Sequence, residues 1–151
     1  MTCTRIRILA TSFVVAGILA GVAAPATALP ATAIPELYRQ SYAAEARQDY
    51  DGALALMERI RAAGNDDYVS RLRSAWLFYL AGRYADAIVG YRRAIDLEPE
   101  AVEPRLGLML PLMAARKWTE ARAVGVEVLD RAPGDFTAQS RMAYIHYQMG
   151  Q

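Results

Sequence analysis

The chain has 151 residues, 54% of them hydrophobic, a length that suits one domain of ordinary size. Its first 35 residues contain Arg5 and Arg7 but no acidic group, so the remainder sets 15 of the 17 basic residues against all 16 acidic ones. This near-neutral balance excludes a protein that tracks nucleic-acid phosphates, which needs clustered Lys and Arg, and the apolar content excludes a disordered chain.

The head of the chain reads as an export signal. A short positive start carrying Arg5 and Arg7 is followed by an unbroken run of apolar and small residues over 8–24, and Ala26-Thr27-Ala28 supplies the small-x-small pattern a signal peptidase cuts. A signal of residues 1–28 and a short linker over 29–34 then precede the folded part, residues 35–151, with Ala31-Thr32-Ala33 as a second site that moves the cut to after residue 33. Left uncleaved, the run would anchor the protein in the inner membrane. Gly17 and Gly21 make it a weak spanning helix, which favours cleavage. Cys3 is the single cysteine and departs with the signal, so the mature chain has no disulfide, thiolate nucleophile or sulfur metal ligand. Lys117 is the one lysine beside sixteen arginines, a composition that fits a GC-rich bacterium and, with the signal, a periplasmic address.

The folded part repeats every 34 residues. Tyr50, Tyr84 and Trp118 align, as do Ala53, Ala87 and Ala121, Pro99 and Pro133, and, at twice the period, Ala75 with Ala143 and Gly82 with Gly150. Apolar residues at helical offsets follow each aromatic, as in Tyr84, Ala87, Ile88, Tyr91, Ala94 and Ile95. The segments before them behave likewise, with Val69, Leu72, Trp76 and Tyr79 on one face. Breakers at Gly64-Asn65-Asp66, Glu98-Pro99 and Pro133-Gly134-Asp135 separate the blocks, and Gln48-Asp49, Gly82-Arg83 and Arg116-Lys117 turn the chain within them. The spacing predicts seven helices and no strand, over 35–47, 51–63, 67–80, 84–97, 101–115, 118–131 and 135–149.

A helix-turn-helix period of this length, with small residues at fixed offsets, an aromatic and a closing proline, resembles the tetratricopeptide repeat family from about Ile34 onward. Ala75, Phe78, Gly82, Tyr84, Ala87, Tyr91, Ala94 and Pro99 match the motif in block 68–101. Block 34–67 has Asn65 where the proline belongs, and block 102–135 has Arg116 for the turn glycine, Met109 for a small residue and Gly125 for an aromatic. A half-repeat over 136–151 follows. The resemblance implies an all-α fold, a right-handed superhelical stack of about three and a half helix-turn-helix repeats, with a concave groove lined by the first helices.

Carried over position by position, the resemblance places Tyr38, Tyr42 and Glu45, then Leu72, Trp76 and Tyr79, then Leu106, Leu110 and Met113, and finally Ser140, Tyr144 and Tyr147 on that groove. Family members that clamp acidic C-termini place Lys, Arg and Asn there, which these positions lack. Tyr and Trp anchors in an apolar groove suit an extended segment or amphipathic helix of a partner protein. The competing structural role is packing between adjacent first helices.

Nothing else in the sequence argues for chemistry. His146, the only histidine, reads as a core residue, since work as a ligand or base would also call for a carboxylate or second histidine beside it. Asp86 and Glu120 recur at 34 residues near helix starts, where negative charge meets the helix dipole. No catalytic, cofactor-binding or metal-binding motif occurs. Pro111 falls inside a helix and predicts a kink near Gly107. In the half-repeat, Met142, Ala143, Ile145 and Tyr147 exceed what the preceding block can cover, with Ala143, His146 and Gly150 facing outward. A second copy of the chain, forming a homodimer through this helix, or a further helix of the same chain would cover them. The sequence thus reads as an exported, periplasmic scaffold, not an enzyme, that binds an envelope protein or peptide through its groove. A second reading makes it a structural subunit of an envelope polysaccharide-export or secretion assembly.

Overall fold

The computed structural model describes residues 33–150, and residues 1–28, read from the sequence as an export signal, lie outside them. Seven α-helices and no strand fill the described residues: α1 (Ala33–Ala46), α2 (Tyr50–Ala62), α3 (Tyr68–Leu80), α4 (Tyr84–Leu97), α5 (Glu103–Ala114), α6 (Trp118–Arg131) and α7 (Phe136–Gln148). Every observed boundary lies within two residues of the position the periodicity predicts. None of these helices is long and apolar enough to cross a membrane.

Local chemistry explains the boundaries. The turn inside each block carries one left-handed residue at the same register: Gln48 (φ 61°), Gly82 (φ 73°), Arg116 (φ 56°) and Gly150 (φ 74°). Glycine reaches that conformation freely, whereas a side chain clashes with its own backbone there. Asp49 starts α2 by accepting from the Gly52 amide at 2.9 Å, and Asp135 starts α7 by accepting from Ala138 at 2.7 Å. Asp67 and Ser70 form a reciprocal capping box at the head of α3.

Each helix packs on its chain neighbours, and among the first helices α3 meets α5 and α5 meets α7 more closely than the second helices approach one another. The first helices therefore line the inside of the curve. Ala53, Ala75, Ala87 and Ala121 are fully buried where paired helices cross. A Cβ on Gly90 would come within 2.9 Å of the Ala75 Cβ, so α3 and α4 approach too closely there for a side chain on both.

The departures in the third block compensate one another. Met109 is fully buried where the second block has Ala75, and a Cβ on Gly125 would strike Met142 Sδ at 2.4 Å and Met109 Cε at 2.9 Å. The thioethers occupy the space that an aromatic ring fills in the second block. Pro111 is buried inside α5, and the helix runs unbroken past it from Glu103 to Ala114. Gly107, one turn before the proline, makes room for Tyr91: a Cβ there would sit 2.2 Å from its ring.

Two apolar clusters form. One gathers Leu37, Ala44, Ala53, Met57, Ile60 and Leu77; the other joins α3 to α7 through Tyr91, Leu108, Met109, Leu112 and Ile145. Polar groups accompany them where the first and second blocks meet: Ser41, Ser70, Arg73 and Ser74 are all buried. Arg61 donates to Ser74 Oγ at 2.6 Å, and Ser74 donates to the Ser70 carbonyl at 2.7 Å.

In α7 the sequence reading is corrected in part. Ile145 is fully buried and Met142 packs on the larger cluster, so the preceding block does cover them. The outward face instead presents Phe136, 79% exposed, with Ala143 and Gly150 also exposed and His146 half-buried. Ala75, one register earlier by two repeats, is fully covered by its second helix.

Candidate functional site

The inner face divides the expected groove residues into two groups. Leu72, Tyr79, Leu106 and Met113 pack against the larger core cluster, and Tyr38 packs against the smaller one. Burial, reinforced by the charge of Asp67, pushes the Tyr38 phenol above its ordinary range. Leu110 is half-buried, and Tyr42, Ser140, Tyr144 and Tyr147 stand in solvent. Trp76 belongs to both groups: it is half-buried, its ring lies 5.6 Å from that of Tyr79, and its indole N–H donates to Glu45 Oε1 at 2.8 Å. Tyr79 in turn lies 6.0 Å from Tyr84, giving three aromatic rings in a row.

Glu45 is the hinge of a polar network across α1 and α3. Its other oxygen accepts from Arg73 Nη1 at 2.7 Å, while Arg73 Nε donates to Ser41 Oγ at 2.9 Å. The Arg73 guanidinium carbon lies 3.6 Å from the centroid of the Tyr42 ring, a cation–π contact. Tyr42 therefore stands on a buried positive charge. Its outer face remains available.

A recurring arginine on the first helices is what the sequence reading missed. Arg39, Arg73 and Arg141 share one register, at spacings of 34 and 68, and Gly107 occupies the fourth place. That recurrence was visible in the alignment of the repeats. Arg39 is exposed and pairs with Glu36, holding that carboxyl below its usual range, whereas Arg141 crosses to donate to the Leu106 carbonyl. Burial lowers the Arg141 pKa against the opposing influence of Tyr79, Tyr91 and Asp135. Burial also raises the Tyr91 phenol far above its ordinary value, so it stays a neutral core group. Glu120, near the start of α6, is held below the normal carboxylate range by Lys117 and then Arg92.

At the end of this face Trp118 and Tyr144 meet edge to face at 6.1 Å. With Met113, Ala114, Arg116 and Gln148 they line an open cavity of about 550 Å³. Among the described residues no cluster of three His, Asp or Glu groups could hold a metal.

No family model matches this sequence, and no curated protein matches it. Solved structures do. The first TPR domain of Spaghetti (RPAP3), bound to the HSP90 peptide SRMEEVD, superimposes with a TM-score of 0.72 at 17% identity, over 83% of this chain and 99% of that one. The Sgt2 TPR domain from Aspergillus fumigatus gives 0.71 at 14% identity, over 84% and 85%. YrrB, described as a TPR protein with an unusual peptide-binding site, gives 0.68 at 17%, over 79% of this chain and 61% of that one. The fold of this chain is that of tetratricopeptide repeat domains.

Proposed function

We propose that the protein is an exported scaffold that holds an extended segment of an envelope protein along the face of its first helices. The observation that carries this reading is the row of aromatic side chains with solvent-facing surfaces on an otherwise packed face: Tyr42, Trp76, Tyr144 and Tyr147. Such rings offer large contact area at little rotamer cost. Their number exceeds what packing requires, since Leu72, Tyr79, Leu106 and Met113 already seal the interior. Peptides bound by structural neighbours such as the first TPR domain of Spaghetti support use of the fold in this way. Export is supported by the charge and hydropathy pattern of residues 1–28.

The test is capture of partners from the periplasmic extract of the host with wild-type protein and with Tyr42→Ala/Trp76→Ala. The double substitution is expected to weaken the captured partner at least tenfold, about 1.4 kcal/mol, while the helical circular dichroism persists. The bait itself should begin at Leu29 or Ile34 by mass spectrometry. An intact Met1 in the membrane fraction overturns the periplasmic assignment, and equal capture by both proteins overturns the groove.

The proposal includes self-association through α7. An antiparallel two-fold pairing centred on Ala143 sets each Phe136 over the partner's Gly150, large against small. Light scattering should show a dimer that becomes a monomer in Phe136→Glu. A wild-type monomer removes this part of the proposal.

A further inference from the structure

We propose that α1 and α2 open as one unit, swinging away from α3 about the joint between Asn65 and Asp66, while α3 to α7 stay folded. The opening needs no ligand and stands apart from the groove reading.

The core is divided at this place. The smaller apolar cluster is built by α1 and α2 and takes only Leu77 from α3, whereas the larger one runs from α3 to α7 and takes nothing from α1 or α2. What joins the two is largely polar. Arg61 donates to Ser74 at 2.6 Å, Arg73 donates to Ser41 at 2.9 Å and to Glu45 at 2.7 Å, and the Trp76 indole donates to Glu45 at 2.8 Å. Each of these contacts crosses from α1 or α2 to α3.

The later junctions are built differently. One repeat on, Ser41, Glu45, Arg61, Arg73, Ser74 and Trp76 are replaced by Ala75, Tyr79, Ile95, Gly107, Leu108 and Leu110. Two repeats on, Arg141 is the only charged residue at these positions. Water remakes a lost hydrogen bond, whereas it penalises exposed apolar surface, so rupture of the first junction costs less than rupture of the later ones. Arg73 Nη2, buried with no hydrogen-bond partner, gains one from water when the seam opens.

The connection between α2 and α3 suits a hinge. The amides of Gly64 and Asn65 close α2 by donating to the Arg61 and Ile60 carbonyls, while Asp66 accepts from Arg71 and Asp67 from the Ser70 amide at the head of α3. Both helix ends are thus held, and the chain between Asn65 and Asp66 belongs to neither. In a stack of repeats each interface carries its own share of stability, so the weakest decides where the stack opens. No second helix covers α7, yet Ile145 and Met142 sink into the larger cluster, so the seam gives before α7 does. Tyr42 stands on one side of the seam and Trp76 on the other, and a segment bound across both would clamp it shut.

Native-state hydrogen exchange, resolved by helix, tests the proposal on the unliganded protein. Mid-helix amides of α1 and α2 are expected to exchange together, about tenfold or more faster than those of α3 to α7, with α7 in the slow class beside α5 and α6. Two variants then separate the units. Ile145→Val should speed exchange in α3 to α7 by about threefold and leave α1 and α2 unchanged, because their opening keeps the Ile145 site intact. Glu45→Ala should speed exchange throughout α1 and α2 by about tenfold or more, because it weakens the closed seam. One common rate across all seven helices, α7 opening before α1 and α2, or Ile145→Val speeding α1 and α2 along with the rest would each overturn the proposal. So would unchanged exchange of α1 and α2 in Glu45→Ala, which would place their fast exchange in local fraying that leaves the seam closed.

Discussion

Glu45→Ala is expected to destabilise the protein by about 2–4 kcal/mol, a large share of what a domain of this size possesses. The carboxylate joins Arg73 Nη1 and the Trp76 indole N–H, and the Arg73 side chain is only 7% exposed. Its removal leaves a guanidinium in the interior with only Ser41 and the Tyr42 ring to satisfy it, although Arg73 Nη2 already has no hydrogen-bond partner. A buried charge stripped of its counter-ion is costly because water cannot replace the lost partner. The expectation stops short of the full penalty because Glu45 itself is 24% exposed and water reaches it. Replacing the pair tells the two effects apart. Arg73→Met with Glu45→Gln removes the charge, keeps an acceptor for Trp76, and should lie within about 1 kcal/mol of the parent in urea unfolding. A loss below about 1 kcal/mol for Glu45→Ala alone would mean that the network behaves as a surface ion pair.

Helix positions were legible in the sequence because the 34-residue period, the capping aspartates and the turn residues are local signals that agree with one another. Asp67 and Asp135 start first helices two repeats apart, and Gly82 and Gly150 close them at the same spacing. The groove was harder to read, because a pattern of inward-facing positions does not say how far each side chain sinks. Tyr79 and Tyr144 occupy inner positions of their first helices, yet Tyr79 packs on the core while Tyr144 is 49% exposed. The difference comes from neighbours on other helices. The polar contacts between the first two blocks were not read either, since Ser41, Ser70, Ser74 and Arg73 look like surface residues when viewed one helix at a time. Only across α1, α2 and α3 do they find one another, through Arg61 to Ser74 and Arg73 to Ser41.

The third block shows how two breaches of a motif can be one feature. Met109 places a long side chain where the second block has alanine, and Gly125 removes the ring that the second block carries as Tyr91. Met109→Ala alone should cost about 2–5 kcal/mol, because it empties a fully buried site. Gly125→Tyr alone should cost more than about 1–3 kcal/mol, the ordinary range for overpacking, because its Cβ already collides with Met142 and Met109 before a ring is added. The double variant restores the pairing seen at Ala75 and Tyr91, with the ring entering the volume that the Met109 thioether vacates. Its loss should therefore fall short of the sum of the single losses by about 1–3 kcal/mol in a urea double-mutant cycle. Full recovery is not expected, since Met142 Sδ stands 2.4 Å from the new Cβ and must also turn aside. Strict additivity would show that Met109 and Gly125 are independent departures, with the space beside Gly125 set by Met142 alone.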